Sequence, residues 1–134
     1  MASLRANVEN AFQSLLTAAG IAVPIYTGFD DEDKANPCVV VAARRAEEDP
    51  PFSGNYRVTV DYHVKGSPDS DGTFEALSDQ VRAAIWTSTL HDDLAAQGSD
   101  LTVWGCTNPH TMEWTQSGGV WVESGTVEIY CASR

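Results

Sequence analysis

Tyr56-Arg57-Val58-Thr59-Val60-Asp61-Tyr62-His63-Val64-Lys65 alternates apolar and polar residues without a break. Tyr56, Val58, Val60, Tyr62 and Val64 fall on one side of an extended chain. Arg57, Thr59, Asp61, His63 and Lys65 fall on the other. Side chains on a strand repeat with a period of two, and β-branched and aromatic residues suit a pleated, half-buried surface. The stretch therefore predicts a long strand with one buried face. Its second face carries both charges, a histidine and a threonine, which is the equipment of a surface that meets something.

The neighbouring segments place this strand in a fold. Leu4, Val8, Ala11, Phe12, Leu15 and Leu16 recur at helical spacing and predict an amphipathic first helix. Ser3 is its expected N-cap, and Gly20 is placed to end it in a left-handed conformation. Val23-Pro24-Ile25-Tyr26 is a short extended piece, because proline restricts the residue before it. Gly28 to Pro37 reads as an acidic loop. Cys38-Val39-Val40-Val41-Ala42-Ala43 is apolar throughout and predicts a strand buried on both faces. Arg44 to Asn55, with Pro50-Pro51 and Ser53-Gly54, reads as a long polar connection closing a wide hairpin. Phe52 inside it packs on the loop's own strands or on a neighbouring subunit.

After the turn at Gly66-Ser67-Pro68-Asp69, a second helix runs from Phe74 to Trp86. Phe74, Leu77, Val81, Ala84 and Ile85 form its buried stripe, and Asp71 or Thr73 caps it. Leu90 to Ala96 reads as one further short helical turn, closed by Gly98. The C-terminal region, residues 101–131, returns to hairpin strands: Leu101 to Cys106, His110 to Gln116, the turn Ser117-Gly118-Gly119, then Val120 to Cys131. In the last, Val120 and Val122 are even whereas Val127, Ile129 and Cys131 are odd, so a bulge near Ser124-Gly125 is expected. Helix, strands, helix, strands with no internal repeat gives an α+β fold: one domain, residues 1–134, with two principal helices on one face of a mainly antiparallel sheet.

Composition narrows the function. With 134 residues and 43% hydrophobic content the chain supports one globular core. No apolar run reaches the roughly 20 residues needed to span a bilayer, so no membrane role is expected. The N-terminus lacks the apolar core of a signal peptide and reads as helix, which points to a protein that starts life in a cytoplasm. Cys38, Cys106 and Cys131 sit in strand-like segments without metal-type spacing and read as reduced thiols. The net charge of −11 and only eight Lys and Arg disfavour tight nucleic-acid binding, which needs cations to neutralise phosphates. Acid gathers at Asp30, Asp31, Glu32 and Asp33, at Glu47, Glu48 and Asp49, and at Asp92 and Asp93.

The chemistry of catalysis finds no foothold. Asp61 and His63 share a strand face, but no nucleophile motif accompanies them. His110 and Glu113, three apart on a strand, point to opposite faces. His91-Asp92-Asp93 lacks the three or four converging ligands of a metal site. Gly118-Gly119 does not follow a phosphate-loop pattern. Trp104, Trp114 and Trp121 suit either core packing or an aromatic binding platform. No enzyme, cofactor or metal is expected.

Several of these phrases taken together resemble the tail terminator (tail completion) proteins of long-tailed bacteriophages and the related head-to-tail joining proteins. They are the helix ending at Gly20 before Val23-Pro24-Ile25-Tyr26; Asn36-Pro37-Cys38-Val39-Val40-Val41; Tyr56 to Lys65; Phe74 to Trp86; and Leu90-His91-Asp92-Asp93-Leu94. The resemblance implies a virion structural protein at the tail–head junction, assembled in the host cytoplasm. It would form a ring, commonly of six subunits, that caps the tail tube, receives a head-completion or connector protein, and lets DNA pass through its lumen without specific binding. In that setting Arg57, Thr59, Asp61, His63 and Lys65 would face a neighbouring subunit or the lumen. Asp30, Asp31, Glu32, Asp33, Arg44, Arg45, Glu47, Glu48, Asp49 and Phe52 would contact the tube or the connector. A neck ring on the portal side and a small aromatic ligand-binding module are the competing readings.

Overall fold

The first helix ends as its sequence demands. The computed structural model describes residues 4–28, 38–48, 54–66, 73–85, 90–97, 101–107, 112–117 and 120–133. Helix α1 (Leu4–Ala18) buries Val8, Ala11, Phe12, Leu15 and Leu16. Gly20 takes φ 91°, a conformation costly for residues with a Cβ. This lets the Ile21 N–H donate to Leu16 C=O at 3.2 Å and the Gly20 N–H donate to Thr17 C=O at 3.1 Å. Paired bonds of this kind satisfy the last helical carbonyls. Ile21 folds back onto the core beside Leu16.

Strand β1 (Ile25–Thr27) then lies parallel to β2 (Cys38–Glu48). Strand β3 (Tyr56–Gly66) runs antiparallel to β2. Helices α2 (Thr73–Ile85) and α3 (Leu90–Gln97) follow, then β4 (Leu101–Thr107), β5 (Met112–Ser117) and β6 (Val120–Ser133). The sheet order is β1-β2-β3-β6-β4, with β5 also on β6. β4 takes residues 128–133 of β6 and β5 takes residues 120–125, so the two lie end to end along one edge.

All three helices bury their stripes on the same face of this sheet. There Val39, Val41 and Ala43 of β2, Val58, Val60, Tyr62 and Val64 of β3, and Val127, Ile129 and Cys131 of β6 meet Phe12, Leu16, Val81, Ile85, Leu90 and Leu94. Full burial of each such aliphatic or aromatic side chain contributes roughly 1.5–3 kcal/mol. The fold is α+β, with a mostly antiparallel sheet. None of the described helices is long and apolar enough to cross a membrane.

Three expectations are corrected. β2 does not stop at Ala43. A bulge at Arg44 inserts one residue, and the polar stretch continues as paired strand through Glu48. Only residues 49–55 connect β2 to β3. Leu90 to Gln97 is a full helix of eight residues rather than a turn. β5 is described from Met112 onward, and the expected start at His110 lies outside the described residues.

β6, finally, has no bulge at Ser124-Gly125: its register with β3 is unbroken from Tyr56↔Cys131 to Gly66↔Trp121. Odd residues face the core along that whole length. Glu123 is therefore buried, with Arg82 Nε 3.6 Å from its carboxylate. Val122 stands on the opposite face, beside Lys65. Ser3, Asp71, Trp86 and Gly98 lie outside the described residues.

Candidate functional site

With the helices on one side, the other face of the sheet displays the polar half of the alternating strand. The register sets out its rows. Val40, His63 and Ser124 form one; Ala42, Asp61 and Thr126 the next; then Arg45, Thr59 and Glu128; then Glu47, Arg57 and Tyr130. Residues directly opposite on neighbouring strands are close enough to interact, and here they do.

Asp61 is the centre of one cluster. The Arg44 Nε–H donates to Asp61 Oδ2 at 2.7 Å, and the Thr126 hydroxyl donates to Asp61 Oδ1 at 2.8 Å. The Arg44 bulge has a purpose in this geometry, since it brings the guanidinium over the same face as Arg45. Arg57 is the centre of another: its Nη2 donates to Glu47 Oε2 at 2.8 Å, and its Nε stands 3.8 Å from Glu128 Oε2. Arg45 also pairs with Glu47. The Arg57 guanidinium beside Glu47 holds that carboxyl below the usual carboxylate range, with Arg45 acting in the same sense.

His63 keeps different company. Ser124 Oγ lies 2.9 Å from His63 Nδ1. Burial pushes the imidazole below its ordinary range, Lys65 adds to this, and Asp61 opposes it. In one neutral tautomer Nδ1 accepts the serine hydroxyl and in the other it donates to the serine oxygen, so a neutral ring suits the pair either way.

Arg57, Thr59, Asp61, His63 and Lys65 thus share one face as expected. Among the contact residues assigned to loops, Arg44, Arg45, Glu47 and Glu48 instead lie on β2; the bulge lets them pair across to β3. Glu48 Oε2 accepts the Gly54 N–H at 2.8 Å and so closes the connection. Asp30, Asp31, Glu32, Asp33, Asp49 and Phe52 lie outside the described residues. Sequence reasoning missed Ser124, Thr126 and Glu128. An unbroken alternation along β6 would have found them, but apolar Val122 on the polar face and buried Glu123 on the core face disguised it.

Half of the chain's eight Lys and Arg gather here: Arg44, Arg45, Arg57 and Lys65, set against Glu47, Asp61 and Glu128. The face is close to neutral on a chain of charge −11. Among the described residues, no three His, Cys, Asp or Glu converge as metal ligands. Trp121 packs edge-on against Phe74, with centroids 5.8 Å apart and planes at 81°. It fills the junction of β6 and α2 and is not part of a platform on the polar face. What the arrangement offers is a wide, pre-paired, nearly neutral surface. No family model and no curated protein sequence matches the chain.

Proposed function

We propose that this chain is a structural virion protein that forms a ring on the end of a phage tail tube and joins it to the head. The observation that carries the reading is the outer sheet face, a charge-balanced polar surface on an otherwise acidic molecule. Side chains already fixed by cross-strand partners lose little entropy on docking. A ring closes through two different patches on each subunit. The outer face supplies one. The far edge of the sheet supplies another, because among the described residues β5 pairs only with β6. The other four Lys and Arg are too few, on a chain of charge −11, to neutralise a run of phosphates, so DNA would pass without stalling. No catalysis is assigned, and the protein acts by docking to copies of itself, the tail tube and a head-side connector.

The test uses purified protein alone and mixed with tail tubes, read by light scattering and negative-stain imaging. Rings, or density capping one tube end, are expected. Thr59→Lys places a long cation at the centre of the face without breaking a pair described above, and is expected to abolish capping while leaving the melting temperature nearly unchanged. Arg57→Glu is harsher, since it sets three carboxylates together, and is expected to lower stability as well. Protein that ignores tubes but joins head particles would make it a neck component instead. Protein indifferent to both would sink the reading.

A further inference from the structure

β2 has an edge that the described residues only partly cover. On the side away from β3, β1 pairs with Val39, Val40 and Val41 alone. One step further, α1 takes over: the Ala43 N–H donates to Glu9 Oε2 and the Arg5 Nε–H donates to Ala43 C=O, both at 2.8 Å. The bulge at Arg44 then shifts the phase of the strand. Arg45 and Glu47 stand opposite Thr59 and Arg57, whose backbone groups turn toward β2 as those of Asp61 and His63 do. Ala46, between them, turns its N–H and C=O outward. Among the described residues no strand pairs with it there.

The sequence at this opening is Arg44-Arg45-Ala46-Glu47-Glu48, which inverts its charge about Ala46. We infer that a second copy of this chain docks here, β2 antiparallel to β2, across a two-fold axis at Ala46. The Ala46 N–H of each copy donates to the Ala46 C=O of the other. Arg45 of each lands opposite Glu47 of the other on the polar face, where their side chains are 66% and 32% exposed.

Charge also fixes the register. A slip by two residues sets Arg45 against Arg45, or Glu47 against Glu47, and a slip by one turns the side chains to the wrong face. The contact is isologous and closes at two, so it is separate from a head-to-tail ring contact. It describes the free protein and shields an edge that would otherwise template aggregation.

The experiment is sedimentation equilibrium over a concentration series. Wild type is expected to pass from monomer to dimer. Arg45→Glu and Glu47→Arg are each expected to weaken the dimer at least about tenfold, because two attractive pairs become two repulsive ones. An equimolar mixture of the two variants restores opposite charges and is expected to recover the dimer, which a misfolded variant could not do. Ala46→Pro, which removes a donor that no described residue of the monomer uses, is expected to stay folded by circular dichroism and remain monomeric. A wild type monomeric throughout would overturn the inference, as would a dimer that all three variants keep. Rings of unchanged mass in wild type and variants would overturn this contact and leave the ring standing. Dimers that never cap tubes would do the reverse.

Discussion

Gly125 and Tyr62 show how one missing side chain shapes the core. They are register partners on β6 and β3, and the tyrosine ring lies directly over the glycine. A Cβ at Gly125 would stand 2.4 Å from Tyr62 Cε1, well inside contact distance. Tyr62 is 1% exposed and has nowhere to retreat. Gly125→Ala is therefore expected to cost about 1–3 kcal/mol, the range for overpacking, seen as a lower denaturation midpoint. In a Tyr62→Ala background the same change should cost almost nothing; an equal cost in both backgrounds would remove the clash as cause.

His63 gives a second residue-scale prediction. Its pKa is lowered, first by burial and then by Lys65, with Asp61 opposing. The unfolded chain thus binds the proton more readily. Stability from this group is fully present above about pH 6.5 and is lost as pH falls through the folded pKa. His63→Gln should flatten that part of the stability profile. Cys131, whose thiol burial raises to about 11, is expected to resist alkylation at pH 8 until the protein unfolds.

At the scale of elements, the least obvious connection is between α1 and the sheet edge. Arg5 and Glu9 act on Ala43 as a neighbouring strand would, one accepting its N–H and the other donating to its carbonyl. Removing a partner from such a group costs roughly 1–3 kcal/mol where water cannot replace it. Glu9→Ala and Arg5→Ala are expected to destabilise by amounts near the lower end, since both sites are only part-buried. Hydrogen exchange at the Ala43 amide should quicken far more than at Val41, whose neighbourhood β1 still covers. Equal acceleration at both would mean that α1 had detached as a whole.

Elements with a clean period were legible from the residues alone. The alternation of Tyr56 to Lys65, the stripe Val8 to Leu16 and the apolar run Cys38 to Ala43 each state their own burial. Polar strand was not legible. Arg44 to Glu48 has no apolar period, and only its partners on β3 make it a strand. On β6 the misreading came from Glu123, at a core position that hydrophobic patterning reserves for valine, and from Val122 on the polar face. Arg82, on a helix far off in sequence, sets a cation 3.6 Å from the Glu123 carboxylate and so lowers the cost of burying it. The same distance effect hid Ser124 and Thr126, whose roles depend on His63 and Asp61.

For the molecule as a whole, charge sets two opposing responses to salt. The net charge of −11 works against compaction through self-repulsion. The cross-strand pairs on the outer face work for it, and both are electrostatic. Distance decides between them. The pairs stand at 2.7 to 3.8 Å, far inside the Debye length of about 10 Å at 0.1 M salt, whereas carboxylates spread over the surface repel across longer spans. Salt therefore screens the repulsion more than the pairing. The melting temperature at pH 7 is expected to rise by a few degrees between about 0.02 and 0.3 M sodium chloride, since a change of about 1 kcal/mol moves a domain of this size by several degrees. Near pH 4, where carboxylates titrate, the rise should shrink, because fewer like charges remain to be screened. A fall with salt at pH 7 would mean that the outer-face pairs outweigh the repulsion, and that the face proposed above for docking also holds the fold together.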